Sequence, residues 1–426
     1  MQLTVTVNSA NQLRHPQLFR RIPQPGNKSC GMGWRKRLEK ARKLHRPSLK
    51  DWASDGLSES FPAFAETIVN RGNKNQTFLL PDSKAPQNLP VVLDAKFLST
   101  KEFHMYETSG IPCVIRSIPD GYDGGRFASE WAASRYWSLE KLAADPDLRD
   151  RFFKCGEDDD GKSVKVKLKH FIKYLQSNAD DSPLYIFDTS FEEDRKAKRV
   201  LADYRVPSYF SDDLFQLVSE ARRPPYRWFL VGPERSGSTV HVDPLATSAW
   251  NTLMFGKKRW VLFPPQVPKQ VVKGRGLVRR DEDDEAIHYF MFILPRIKRK
   301  AASLKHHEDY KDFACYEFTQ NAGETCFIPH GWWHAVLNLT HTVGVTQNFC
   351  SERNFDQVWL KTRSGRKHMA WKWLQQLDLK YPHLAERARH LNERDHFRMK
   401  YDPEILRKRD GEDKRQQKKR KSFSSL

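Results

Sequence analysis

From Trp228 onward the sequence is cut into short apolar runs, each closed by glycine, proline or polar residues. The runs are Trp228–Gly232, Thr247–Phe255, Arg259–Phe263, Ile287–Leu294, Glu324–Ile328, Ala335–Leu339 and Thr342–Asn348. Segments of this length, rich in β-branched and aromatic residues, are read as strands. Evenly spaced short strands leave few solutions: a sheet closed into a barrel, or two sheets packed as a sandwich. With 426 residues, 12 Trp and 26 Phe, the chain can surround one large core and still carry appendages.

Within this stretch lies His241-Val242-Asp243, and Ile328-Pro329-His330-Gly331-Trp332-Trp333-His334 supplies another histidine further on. Residues i and i+2 of a strand share a face, so His241 and Asp243 can grip one ion from a strand end. Two imidazoles and a carboxylate on one face of a metal are the donor set of non-haem Fe(II) oxygenases. His330 and His334 also have the spacing of a helical zinc-protease pair, but Gly-Trp-Trp between them lacks the general-base glutamate and Pro329 opposes a helix. His334 is therefore the ligand candidate, and His330 a turn or supporting residue. Trp332 and Trp333 are read as core aromatics, and Asn338 as a buried amide or a support for the metal ligands.

After Asp243 come Asn251 and then Gly256-Lys257-Lys258, a tight turn from which Arg259–Phe263 departs as a strand. A lysine returning on that strand can place an ammonium in the same pocket, where an anion held by the metal at one end would need a cation at the other. The alternative is two solvated turn lysines.

Longer stretches then carry a resemblance. KCGEDDDGKSVKVKLKHFIKYL (154–175), DDSPLYIFD (180–188), VPSYFSDDLFQ (206–216), RRPPYRWF (222–229), HVDPLATSAWN (241–251), GWWHAVLNL (331–339) and TQNF (346–349) resemble the Jumonji-C oxygenases, over about residues 35 to 385. The resemblance implies a mainly β fold, a double-stranded β-helix of the jelly-roll or cupin type, with flanking helices and a C-terminal helical appendage. It implies Fe(II) on His241, Asp243 and His334, with 2-oxoglutarate and O2 as cosubstrates. Lys258 would hold the distal carboxylate of 2-oxoglutarate. Thr346, Asn251, Asn348, Tyr185 and Ser238 match other pocket positions, Ser238 standing where a threonine is expected. On its residues alone, Tyr185 reads as a core aromatic. Glu285 and Trp228 match positions of substrate contact; without the resemblance they read as part of a solvated acidic loop and as a core tryptophan. The implied reaction is hydroxylation of lysine side chains, with demethylation of methyl-arginine second, in Lys/Arg-rich nuclear proteins tied to splicing or chromatin. Two other readings are a non-enzymatic RNA- or chromatin-binding protein on a retained barrel, which the intact donor set opposes, and a cupin metalloenzyme without cosubstrate, which Lys258, Thr346 and Asn251 oppose.

The division of the chain that follows is an N-terminal extension (1–33) expected to be disordered, an α+β region (34–180), the catalytic barrel (181–354), a helical region (355–400) and a basic disordered tail (401–426). Charge follows this division. Residues 11–50 hold 12 Lys/Arg and one acid, and residues 387–421 hold 14 Lys/Arg and seven acids, so nearly all of the formal charge of +20 sits near the ends. Basic arms suit a nuclear address and contact with RNA or DNA, although the basic helix candidate 34–46 reads equally as a solvated helix face. Apolar positions 371, 374 and 377, then 384, 388 and 391, have helical spacing. Trp371 and Leu374 would leave a bare patch on such a helix, and a homodimer through 355–391 is expected to cover it.

Other classes find little support. The six cysteines are widely and irregularly spaced with no C-x-x-C, which fits a reducing compartment. The N-terminus has no signal-peptide pattern, and no apolar run approaches a membrane span. Glu157-Asp158-Asp159-Asp160-Gly161 lacks the ligand spacing of a calcium loop and is read as a turn. Phosphate-binding loops and nucleophile elbows are missing. Lesser elements are a strand region at 85–95, a helix 139–144 capped by Ser138, a strand 163–168, a helix 168–176, a strand 184–187 and a polar surface loop at 296–312.

Overall fold

Alternation along the strands sets up two sheets with one shared interior. The computed structural model describes residues 32–44, 90–219, 223–280, 282 and 284–401. Its strands are β1 (Val91–Asp94), β2 (Cys113–Arg116), β3 (Tyr122–Asp123), β4 (Arg126–Phe127), β5 (Phe152–Glu157), β6 (Ser163–Lys167), β7 (Ile186–Asp188), β8 (Arg227–Gly232), β9 (Gly237–His241), β10 (Ser248–Phe255), β11 (Lys257–Phe263), β12 (Tyr316–Asn321), β13 (Thr325–Ile328), β14 (Trp333–Asn338) and β15 (Thr342–Phe349). Seven of them form a large sheet in the order β1-β2-β13-β10-β15-β8-β7, and four form a smaller one in the order β12-β11-β14-β9. All pairings in these sheets are antiparallel except β1 with β2.

Each sheet uses its two faces differently. Val114, Ala249, Cys326 and Ile328 of the large sheet pack against Trp260, Leu262, Phe318 and Val336 of the small one, which fills one end of the interior. The opposite face of the large sheet, with Phe229, Val231, Trp250, Phe327 and Val345, is covered by the preceding α+β region in the largest core cluster. On the outside of the small sheet, Val240, Val261, Phe263, Ala335 and Leu337 meet the 286–303 helix. Two sheets with a common interior and covered outer faces are the double-stranded β-helix that the resemblance implies, one of the barrel or sandwich solutions left open by the strand pattern. The sheet edge extends into the preceding region, because β2 pairs with β13. Ser138 caps the 139–144 helix as expected, its side chain accepting from the Lys141 amide.

One run is not a strand. Ile287–Leu294 was expected to be one, but the chain is helical at Ala286–His288, passes through a π-helical turn at Tyr289–Ile293 and continues as an α-helix over Leu294–Ser303. The expected surface loop 296–312 is helical in its first half for the same reason. Leu294, Ile297 and Ala301, at steps of three and four, bury one face of that helix on the outside of the small sheet.

At the C-terminal end the helices Phe355–Gly365, Lys367–Lys380 and Pro382–Arg394 enclose Trp359, Trp373, Leu377, Leu384, Ala388 and Leu391 against Leu214 and Phe215. The Trp373 indole N–H donates to the Leu214 carbonyl at 3.1 Å. Trp371 and Leu374 do not form the bare patch expected of them; both are partly buried against this cluster. No helix among the described residues is long and apolar enough to cross a membrane. The expected disorder of residues 1–31 and 402–426 concerns stretches outside the described residues. Met32 and Gly33, assigned to that extension, begin the helix Met32–Ala41.

The corrected helix is open to test. Ile297 is fully buried, so Ile297→Ala should cost about 2–5 kcal/mol in urea unfolding. A solvent loop at this position would give a change within about 0.5 kcal/mol.

Candidate metal centre and cosubstrate pocket

The candidate metal ligands meet because of one register. His334 on β14 lies directly opposite His241 on β9, but two residues further along β14, Val336 faces Ser238, three residues back on β9. The extra residue is a β-bulge, which returns the side chains on both sides of it to one face. His241 and Ser238 thus share the interior face with His334 and Val336, although strict alternation would separate them. Gly237 starts β9 where a Cβ would lie 2.0 Å from the Val336 carbonyl oxygen, so the close approach of the two strands requires glycine. Just beyond β9, Asp243 begins a short turn.

Among the described residues, His241, Asp243 and His334 are the one group whose ligating atoms could hold a metal; they lie within 4.8 Å of one another. The imidazole rings are 4.3 Å apart between centroids, and His334 Nε2 is 3.9 Å from Asp243 Oδ1. Nδ1 of His241 lies 2.7 Å from the Thr239 carbonyl, and Nδ1 of His334 lies 3.1 Å from the Trp332 carbonyl. A carbonyl only accepts, so each Nδ1 carries the proton and each Nε2 keeps its lone pair. Burial, with the neighbouring His241 second, lowers the His334 pKa to about 4, so this imidazole is neutral at pH 7 and able to ligate. The other oxygen of Asp243, Oδ2, is buried with no hydrogen-bond partner. An unsatisfied buried carboxylate oxygen beside two imidazoles whose Nδ1 atoms are turned to backbone carbonyls fits a divalent cation.

Lys258 is in β11, not in the turn. Gly256 alone, at φ +90°, makes the connection from β10. Lys257 consequently faces solvent, whereas Lys258 points inward and is the only lysine among the described residues to be fully buried. Burial lowers its pKa to about 8. Across the ladder it faces Asn338 on one side and Gln320 on the other, and its Nζ is 3.4 Å from the Tyr185 hydroxyl. Asn251 and Thr346 are directly paired on β10 and β15; Thr346 Oγ1 donates to the Trp250 carbonyl at 2.8 Å, and Asn251 Oδ1 is buried without a partner. Asn348 donates from Nδ2 to Thr247 Oγ1 at 2.9 Å. Trp228 on β8 pairs with Thr346, continuing the same row outward. The registers therefore put Ser238, Asn251, Lys258, Thr346, Asn348 and Trp228 on the interior face with the metal ligands, and Tyr185 beside Lys258.

Glu285 is placed differently from expectation. It does not lead into a strand; it precedes the helical turn Ala286–His288. Ser182 Oγ donates to its Oε2 at 2.7 Å, and Arg42 lies 3.3 Å from its Oε1. Arg42 also donates to the Ser182 carbonyl. Next to it, Asp284 accepts from Thr239 on β9 at 2.7 Å. Glu285 thus lies between the edge strand β9 and the segment leading to Tyr185, held by Arg42 just past the end of the helix Met32–Ala41. Asp281 and Asp283 of the same acidic run lie outside the described residues.

Of two further interior residues, the sequence marks Asn338 as a buried amide or a support for the metal ligands and does not single out Phe187. Asn338 stands opposite Lys258, on the face of β14 that carries His334 four residues earlier; even spacing along one strand was the signal. Phe187 is two residues after Tyr185 and shares its face for the same reason.

An ammonium buried at the far end of the pocket should bind the distal carboxylate of 2-oxoglutarate. Lys258→Ala removes a charge-assisted contact of about 1.5–3 kcal/mol, so affinity for 2-oxoglutarate should fall roughly tenfold to a hundredfold, while Lys257→Ala leaves it unchanged. Because the anion needs the protonated lysine, affinity in the wild type should be level below about pH 7 and weaken as pH rises through about 8. Equilibrium binding across this pH range checks both; loss in Lys257→Ala alone would assign the wrong lysine.

The geometry agrees with comparison to known proteins. Residues 228–349 match the family model described as JmjC domain, hydroxylase. The chain is 39% identical over 356 residues to the bifunctional arginine demethylase and lysyl-hydroxylase psr-1 of Caenorhabditis elegans, a match that covers 82% of this chain and 79% of that protein. Its Caenorhabditis briggsae counterpart is also 39% identical, with 80% of that protein covered. The lysine-specific demethylase JMJ21 of Arabidopsis thaliana is 39% identical over 250 residues, 57% of this chain and 24% of that protein. With a buried lysine facing its His-Asp-His metal centre inside a double-stranded β-helix, the chain belongs to the JmjC hydroxylases, enzymes that use Fe(II) and 2-oxoglutarate.

Proposed function

We propose that this enzyme hydroxylates lysine side chains of basic, Arg/Ser-rich nuclear proteins, among them splicing factors and histones, with demethylation of methyl-arginine as a secondary activity. The observation that carries this reading is the interior row that ends in Trp228: it leads outward from the pocket to an aromatic face, with the Glu285 carboxylate at the adjoining sheet edge. An aromatic face and a carboxylate suit a side chain with an aliphatic stem and a cationic tip. The names of the Caenorhabditis relatives, arginine demethylase and lysyl-hydroxylase, support both chemistries. A carboxylate favours the compact ammonium of lysine on an extended stem over a methylated guanidinium, whose planar fork asks for bidentate pairing.

His241, Asp243 and His334 would hold Fe(II), with Lys258, Thr346, Asn251 and Tyr185 around 2-oxoglutarate. When bound, these groups and O2 supply the oxidation of a substrate C–H bond, with 2-oxoglutarate leaving as succinate and CO2. The chain's own part is positional. The two backbone carbonyls keep both imidazoles in the ligating tautomer, Lys258 anchors one end of the cosubstrate, and the buried apolar layer of Trp260 and Val336 keeps water from beneath the metal centre. Glu285 is paired with Arg42 and accepts from Ser182, and its side chain remains about one-third exposed to solvent.

The basic ends support a nuclear address and salt-sensitive contact with RNA or DNA. They lie largely outside the described residues, and a variant lacking 407–421 with residues 35–43 neutralised should be cytoplasmic; unchanged nuclear localisation would refute the address. For the substrate, mass spectrometry of a peptide with one lysine and one dimethyl-arginine should show a stable gain of one oxygen on lysine. Formaldehyde release without that gain would reverse the order of the two activities. Glu285→Ala should raise KM for the peptide roughly tenfold, and unchanged turnover would remove Glu285 from the site.

A further inference from the structure

Phe187 has no role in the core. It lies on β7, the edge strand of the large sheet, and pairs with Leu230 of β8, whose register puts both on the interior face. Its neighbours Ile186 and Asp188 point the other way and are buried, while Phe187 is 41% exposed. A singly exposed aromatic is ordinary; what sets Phe187 apart is its place on the interior face, against two rings of the pocket. Its ring is 5.3 Å from that of Trp228 at a tilt of 41°, and 6.1 Å from that of Tyr185. Tyr185 in turn touches Lys258. The three rings therefore form a continuous strip that starts at the buried ammonium and ends in solvent.

We infer that Phe187 is a substrate-positioning residue, which with Trp228 forms the apolar wall against which the aliphatic stem of the target side chain lies. The spacing decides how the wall is used. Rings 5.3 Å apart already touch, so no stem can be sandwiched between them; the stem lies across their common surface. That surface belongs to the large sheet, and the metal ligands belong to the small sheet opposite it. A side chain entering along the wall is thus turned toward His241 and His334, with its tip free to reach them. Four methylenes of lysine give such a wall more to hold than a short polar side chain does, and the faces of both rings attract a cation on its way in. This inference rests on the side-chain oxidation proposed above.

The test compares wild type, Phe187→Ala and Phe187→Trp as full-length proteins with Fe(II) and 2-oxoglutarate. It uses the lysine peptide, the dimethyl-arginine peptide and a peptide with norleucine in place of lysine. Three quantities are read: KM and kcat for the peptides, anaerobic peptide affinity by fluorescence anisotropy, and 2-oxoglutarate affinity. In Phe187→Ala, KM and the anaerobic dissociation constant for the lysine peptide should rise about tenfold, equivalent to about 1.4 kcal/mol. kcat should change by less than about twofold and 2-oxoglutarate affinity should hold, a split that a general loss of structure would not give. Phe187→Trp should restore binding, and norleucine peptide binding should fall in Phe187→Ala as well, because the wall holds the stem. Unchanged KM in Phe187→Ala would overturn the inference while leaving lysine hydroxylation in place. Loss of 2-oxoglutarate affinity of the same size would also overturn it, by showing that Phe187 merely supports Tyr185 and Lys258. If wild type oxidises neither the lysine nor the dimethyl-arginine peptide, the proposed substrate class fails and the inference falls with it.

Discussion

The pairing of β9 with β14 holds this site together. A metal centre assembled from residues 241, 243 and 334 needs two strands, far apart in sequence, to stop in one register. The His241–His334 pair sets that register, and the bulge behind it keeps Ser238 on the same face. A one-residue slip would turn either histidine out of the interior. The Gly237 close approach and the hydrogen bonds from both Nδ1 atoms to backbone carbonyls belong to the same arrangement, because the strands that bring the ligands together also fix their tautomers.

Burial then gives the site its chemistry. The apolar layer that seals the barrel keeps His334 neutral and lowers the pKa of Lys258. A lysine buried without a carboxylate beside it is costly, and an incoming dicarboxylate offsets that cost as well as gaining a contact. The interior thus has an electron-pair donor end, with Asp243, His241 and His334, and a cationic end at Lys258. That polarity suits a ligand that chelates a metal with one end and carries a negative charge at the other. The rim, with Phe187, Trp228 and Glu285, is more exposed, and the proposed substrate contacts are placed there.

Much of this was legible in the sequence because it is local. Alternating strands between turns gave six of the seven barrel runs, and His-x-Asp with a distant histidine gave the metal ligands. The choice of Lys258 over Lys257 follows once β11 is allowed to begin right after Gly256. The failure at Ile287–Leu294 has a physical reason: apart from His288, IHYFMFIL is an unbroken run of apolar and aromatic residues with no period, so it fits a buried strand or a buried helix equally well. The deciding signal was further on, where Leu294, Ile297 and Ala301 continue at helical spacing. The environment of Glu285 could not be read, since Arg42 and Ser182 reach it from 243 and 103 residues away. The bulge in β9 was equally hidden, because nothing in Gly-Ser-Thr-Val-His marks where an extra residue will be accommodated. Trp371 and Leu374 looked exposed for a similar reason: the cluster that covers them includes Leu217 and Leu245, from distant turns.

The most direct test of the metal-centred account is succinate formation by metal-depleted protein. Fe(II) is added anaerobically, then 2-oxoglutarate, then O2, with wild type and Asp243→Ala side by side and circular dichroism to confirm that both are folded. The predicted result is iron-dependent succinate release from wild type and none from Asp243→Ala at equal helix and strand content. Full succinate release from folded, metal-depleted Asp243→Ala, or release from wild type without added iron, would contradict it.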